Sequence, residues 1–182
     1  MTNHAPNFSL QVPEGDDRER SVCGTCGFVD YVNPKIVAGA VVEDGEGRIL
    51  MCKRAIEPRS GFWTLPAGYM EQGESVAQGA RREAWEEARA KLEIIDMLGM
   101  YSVPRISQVQ IFFRARLTDP HVEAGPESEA VALYPWNEIP FNDLAFPTVR
   151  WALEDWRARI GQVGLPPALR SQGADFAPVD DV

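Results

Sequence analysis

Apolar and polar positions change their spacing several times along this chain, and each spacing predicts an element. Asn33-Pro34 biases the backbone toward extended structure, and the run IVAGAVV, Ile36 to Val42, is continuously apolar and β-prone. Ile49 to Lys53 follows after EDGEG, and two such runs separated by Gly45 and Gly47 predict a hairpin. SGFWTLPAG, Ser60 to Gly68, reads as a loop with Gly and Pro near its end. From Val76 to about Ala88 the period becomes helical: there is no Pro, only one Gly, and Ala80, Ala84 and Ala88 fall on one i, i+4 row. Ser75 is the predicted N-cap, with Gln78 three residues on as in a capping box.

Beyond the helix, Leu92 to Leu98 and the stretch around Met100 to Val103 predict strands. The clearest strand is QVQIFFRARL, where Val109, Ile111, Phe113, Ala115 and Leu117 alternate with Gln108, Gln110, Arg114 and Arg116, with Phe112 as the exception. Thr118 to Ala130 reads as a loop, and VALYPW returns to extended structure. Pro147 suits the first position of a last helix, with Val149, Ala152, Leu153, Trp156 and Ile160 as its buried stripe. Residues 1–34 form an irregular N-terminal extension, 35–160 the main domain, and 161–182 an aperiodic, flexible tail. Strands, helix, strands, helix imply an α/β (α+β) fold, a mixed sheet flanked by helices. Trp63, Trp136 and Trp151 are expected in its core.

Composition narrows the function. Of 182 residues, 45% are hydrophobic and 25% charged, as in a globular protein with a sizeable core. The longest apolar stretch, IVAGAVV, is too short to span a bilayer. No basic n-region with an apolar h-region opens the chain, so the expected location is cytoplasmic. A formal net charge of −9 argues against nucleic acid or an anionic membrane as partner. It leaves open a small polyanion whose charge is met by bound cations.

The helix carries the candidate chemistry. Taking Val76 as zero, Glu83 falls at roughly −20° and Glu87 at roughly +20°, on either side of the apolar row, with Glu86 at roughly −80° on the flank. A solvated acidic face is the ordinary meaning of such a run. Here Glu83 and Glu87 stand four apart, with no Lys or Arg at i, i+4 behind Glu83. Burying them unpaired is costly, and a divalent cation resolves the conflict. Oxygen-only ligands favour Mg²⁺ or Mn²⁺ over zinc.

The whole stretch is Gly68, five residues, Glu74, seven residues, then Arg82-Glu83-Ala84-Trp85-Glu86-Glu87. It resembles the Nudix box, G-x5-E-x7-R-E-U-x-E-E-x-G-U, preceded by a similar approach loop, SGFWTLPAG. The resemblance implies a Nudix fold and hydrolysis of a nucleoside diphosphate linked to another group. By it, Glu83 and Glu87 ligate metal directly, Glu86 directly or through water, and the Ala67 carbonyl is a further ligand. Gly68, Glu74 and Arg82 orient the box, the last two as an ion pair. A general base from a late loop is implied, and PESEA offers Glu127 and Glu129, of which Glu129 is favoured. Arg54 is a candidate phosphate contact, a surface ion pair being the plain alternative. The box glycine is Arg89 here; a left-handed non-glycine residue costs roughly 1 kcal/mol, so an adjusted helix end is expected.

The likeness extends over about Val12 to Ile160. CGTCGFVDYVNPKIVAGAVV, CKRAIEPRSGFWTLPAGYMEQGES, VPRISQVQIFFRARL, GPES and EIPFNDLAF resemble a Nudix subgroup with an N-terminal zinc ribbon that acts on ADP-ribose or FAD. Of that ribbon only Cys23 and Cys26 remain, with VPEGD before them; Cys52 is the only other cysteine, and His4 and His121 the only histidines. A closed zinc site needs four ligands, so the pair reads as a relic without zinc. The expected reaction is Mg²⁺-dependent cleavage of ADP-ribose, FAD or a similar dinucleotide, releasing AMP. Two alternatives remain: a housecleaning nucleoside triphosphatase, and a non-catalytic nucleotide-sensing regulator. The resemblance also carries a homodimer as an expectation.

Overall fold

The computed structural model describes residues 7–162 and 164–172. The chain divides into two compact units, residues 1–34 and residues 35–182. The smaller unit is a three-stranded antiparallel sheet: β1 (Phe8–Gln11), β2 (Arg20–Cys23) and β3 (Val29–Asp30), with β2 in the middle. Asp16 and Arg20 pair at 2.9 Å in the connection between β1 and β2. That bond from Arg20 is the main reason the Asp16 carboxyl is held down at about 2. After β2 the chain makes a tight turn: Gly27 N–H donates to the Cys23 carbonyl and Cys23 N–H to the Phe28 carbonyl, both at 2.8 Å.

The larger unit is built on β4 (Lys35–Glu43), β5 (Arg48–Arg54), β6 (Trp63–Thr64), β7 (Ala67–Tyr69), α1 (Val76–Ala88), β8 (Leu92–Val103), β9 (Gln108–Leu117), β10 (Ser128–Pro135), α2 (Pro147–Ala158) and β11 (Ala168–Ser171). The main sheet runs β10-β5-β4-β9-β8-β11, with β6 paired to β5 and β7 to β4. It is mixed: β4 lies parallel to β9 and β11 parallel to β8, while the other pairs are antiparallel.

Helices cover both faces, which explains why β4 and β5 read as unbroken apolar runs. Ala38, Ala40, Val42, Leu50 and Cys52 pack with Ala80, Ala84 and Ala88 of α1. Val41, Ile49 and Met51 point the other way, onto Val149, Ala152, Leu153 and Trp156 of α2. Phe112, the break in the alternation of β9, belongs to the α2 side, whereas Phe113 and Ala115 belong to the α1 side. Trp63, Trp136 and Trp151 pack against the α2-side core. The small alanines on α1 bring that helix's backbone close to the sheet, and with it the glutamates between them.

The N-terminal stretch expected to be irregular forms β1 to β3, the two strands expected between Leu92 and Val103 are the single strand β8, and three further details of the larger unit depart from the sequence expectation. Arg114, read as an outward polar residue of β9, is buried; it pairs with Asp96 and donates to the carbonyls of Arg159 and Gln162. It thus neutralises the carbonyl-rich exit of α2. Ile160 lies past the end of α2 and is exposed, so the buried stripe stops at Trp156. Within the stretch read as a tail, Ala168–Ser171 forms β11. The pairing is carried by backbone groups and by Arg170, which reaches Asp155 of α2 at 2.5 Å and Glu154 at 3.1 Å, so no apolar period announces it. Residues 173–182 of the expected tail lie outside the described residues. Among the described residues no helix is long and apolar enough to cross a membrane.

Candidate active site

Ser75 caps α1 through a reciprocal box with Gln78, so the helix begins one residue after it. From that start the spacing places Glu83 and Glu87 on the buried side, with 8% and 6% of their surface exposed, and leaves Glu86 exposed. Both buried carboxyls are lifted from their ordinary range. Burial is the main cause for Glu83, opposed by the bond from Arg82. Burial and the neighbouring Glu83 push Glu87 up to about 8. Cys52 of β5 lies beneath Glu87, and its thiol is raised well above the ordinary value by burial and by that carboxylate.

Three glycines allow close approaches around this site. A β-carbon on Gly68 would stand 2.4 Å from the Glu83 carboxyl. One on Gly79 would stand 2.8 Å from Glu74 Oε1 and 3.2 Å from Ala38 Cβ, which accounts for the single glycine inside α1. Glu74 is thereby laid along the helix, where it accepts from Arg82 Nε at 3.1 Å and Nη2 at 2.9 Å. Arg82 Nη2 also donates to the Tyr69 carbonyl at 2.9 Å. Its Nη1 reaches Glu83 at 2.7 Å and Glu86 at 2.8 Å. Glu83, which has no Lys or Arg at i, i+4 behind it, thus finds its cation in the adjacent Arg82. Ala67 lies at the same place; its N–H donates to Glu87 Oε2 at 3.4 Å.

The third glycine, Gly125, was not singled out in the sequence. The loop after β9 docks on the exit of α1: Glu123 N–H donates to the Ala88 carbonyl at 2.9 Å and Gly125 N–H to the Glu87 carbonyl at 3.0 Å. These bonds satisfy two carbonyls that the helix end would otherwise leave open. A β-carbon on Gly125 would fall 1.7 Å from the Glu86 carbonyl oxygen. Gly125→Ala is therefore expected to push the loop off the helix, costing about 1–3 kcal/mol. Urea denaturation measures this, and turnover should fall with it because the same loop carries Glu127.

Glu127 lines a cleft of about 360 Å³ together with Glu83, Glu86, Glu87, Arg89 and Pro126. Its backbone is tied down, its carbonyl accepting from Ala55 N–H at 2.8 Å. Its charge helps to raise both Glu83 and Glu87. Glu129, the favoured base in the sequence, does not line that cleft. It is the extra residue of a bulge between Ser128 and Ala130, and its carboxylate pairs with Lys53 at 3.1 Å. The bulge breaks the two-residue alternation, so the sequence offered no way to choose between the two. Arg54 donates from Nε to the Pro58 carbonyl at 2.9 Å and lies over the Phe146 ring, near enough for its charge to favour ionised Glu87.

The donor set is all oxygen: two buried carboxylates, one exposed carboxylate, and a glycine backbone that leaves them space. That chemistry fits a hard divalent cation and not a soft one. As arranged, Arg82 holds Glu83 and Glu86, and among the described residues no three His, Cys, Asp or Glu side chains converge on one point. In the smaller unit Cys23 is buried and Cys26 exposed, both as free thiols. Backbone N–H groups of Cys26 and Thr25 lower the Cys23 thiol.

The chain resembles known proteins over most of its length. The NUDIX domain family model matches residues 33–155, and a second model, the zinc-ribbon Nudix N-terminal family, matches residues 5–32. An ADP-ribose pyrophosphatase of Methanocaldococcus jannaschii is 29% identical over 120 residues, 64% of this chain and 69% of that protein. A MutT-like protein of Streptomyces ambofaciens is 33% identical over 103 residues, 57% of this chain and 64% of that protein. The crystal structure of a NUDIX hydrolase from Nitrosomonas europaea aligns with a TM-score of 0.86 and 41% identity, covering 94% of this chain and 97% of that one.

Proposed function

Because the chain belongs to the NUDIX domain family, we propose that it hydrolyses the diphosphate bridge of a nucleoside diphosphate linked to a further group, with ADP-ribose as the favoured substrate and AMP as a product. The observation that carries this reading is the cleft itself, where Glu83, Glu86 and Glu87 of α1 face Glu127 of the docked loop. Likeness to an ADP-ribose pyrophosphatase supports the choice of substrate. FAD and other dinucleotides remain within the same chemistry.

Glu83, Glu86 and Glu87, with the Ala67 carbonyl, would hold Mg²⁺ or Mn²⁺. Such a cation, when bound, offsets the charge of the diphosphate and makes water a better nucleophile. The chain's own residues do the rest. Arg82, fixed by Glu74 and the Tyr69 carbonyl, holds Glu83 and Glu86 along one side of the helix. Burial of Glu87 beside Cys52 leaves that carboxyl few competing water contacts, so its charge would act strongly once a bound cation favoured the ionised form. Glu127, across the cleft, would take the proton of the attacking water. Arg54 stands near Glu87 as a cation for a phosphoryl oxygen.

The substrate is tested by comparing kcat/KM for ADP-ribose, FAD, NADH and a nucleoside triphosphate, each with Mg²⁺. ADP-ribose or another dinucleotide is expected to exceed the triphosphate by at least about tenfold. A preference for the triphosphate would instead establish a housecleaning nucleotidase. Binding of every compound with turnover of none would establish a sensor.

A further inference from the structure

Arg89 occupies the position at which the stretch departs from the Nudix box, and its backbone keeps the geometry that suits a glycine. It ends α1 with φ 51, in the left-handed region, and its N–H donates to the carbonyls of Ala84 and Trp85. The helix end is not adjusted, contrary to the sequence expectation. A non-glycine residue held there is strained, so the side chain is present against a local penalty.

That side chain has an unusual lack of partners for its surroundings. It runs over the Trp85 ring, with the guanidinium carbon 5.6 Å from the ring centroid. A single, long hydrogen bond of 3.4 Å joins Nη1 to the Trp85 carbonyl. It lines the cleft beside four carboxylates, Glu83, Glu86, Glu87 and Glu127, yet among the described residues it forms an ion pair with none of them. Of the other two arginines nearby, Arg82 is held by Glu74, Glu83 and Glu86, and neither it nor Arg54 lines the cleft.

We infer that Arg89 is a binding residue for the diphosphate bridge of the substrate, a contact that a glycine at this position does not make. The inference rests on the reading of the cleft as a diphosphate site. A guanidinium presents paired N–H donors that match two phosphoryl oxygens. Restraint over the Trp85 ring lowers the entropy lost when those bonds form. Among the described residues the cleft is otherwise lined by four carboxylates and Pro126, so Arg89 is the cation in its lining from which an anionic ligand gains.

The test is calorimetric titration of α,β-methylene-ADP, which cannot be cleaved at its bridge, with Mg²⁺ present, into wild type, Arg89→Gly and Arg89→Lys. Arg89→Gly is expected to weaken binding by at least about tenfold, and Arg89→Lys to fall between. The melting temperature of Arg89→Gly should be equal to or above that of wild type, since glycine relieves the left-handed strain. Equal affinity of wild type and Arg89→Gly, or no binding to wild type, overturns the inference. Turnover by wild type judges the hydrolase reading separately. Cleavage of ADP-ribose with an unchanged Arg89→Gly affinity overturns Arg89 alone. Absence of cleavage with a weakened affinity overturns the hydrolase and supports Arg89 as a diphosphate contact.

Discussion

Glu87→Gln is expected to cut AMP release by about 1,000-fold or more, the loss that follows when one electrostatic group at a reacting centre is removed. The same variant should melt at or above the wild-type temperature when no divalent cation is added. Both expectations come from one arrangement. Glu87 is 6% exposed, sits against Glu83 and over Cys52, and has its carboxyl pushed up to about 8. A charge in that position destabilises the folded protein, and a neutral amide of the same shape removes the penalty. Loss of activity through unfolding would lower the melting temperature, so the two readings together separate chemistry from stability. A variant that retains near wild-type turnover would remove Glu87 from the site.

Glu127→Gln should lower kcat by about 100-fold or more, the usual contribution of a positioned general base. Glu129→Gln is the matched control. Its carboxylate pairs with Lys53 at the surface, 41% exposed, and does not line the cleft. Removing it should leave turnover unaltered and change stability by at most about 1 kcal/mol. The two residues are two apart in sequence, so a contrast between them tests the register of β10 as much as the mechanism. The opposite result, with Glu129 essential and Glu127 silent, would mean that the bulge at Ser128/Ala130 lies elsewhere.

The difference between Glu127 and Glu129 also marks where reading the sequence stops. Local, periodic features were legible. The cap at Ser75, the extent of α1, the burial of Glu83 and Glu87 and the exposure of Glu86 all follow from a 3.6-residue repeat and a start signal. The sheet between two helices followed from the order of elements, with β4 and β5 apolar on both faces. What stayed hidden depends on contacts between distant segments or on an irregularity. Nothing in GPESEA announces that the chain bulges at Glu129, or that Gly125 must lie against the Glu86 carbonyl. Arg114 follows the outward pattern of its strand and yet is turned in to meet carbonyls some 45 residues later. Arg89 could be seen to break a motif, but its place in the cleft depends on how α1 ends.

The central claim is that these glutamates, with a divalent cation, cleave a nucleoside diphosphate bridge. It is tested most directly by AMP release from ADP-ribose by the purified full chain, with Mg²⁺ and again with excess chelator. The account predicts AMP and ribose 5-phosphate in equal amounts with Mg²⁺, and no release with chelator that returns when Mg²⁺ is restored. Release that persists undiminished in chelator, or none in Mg²⁺ from a folded protein, would contradict it.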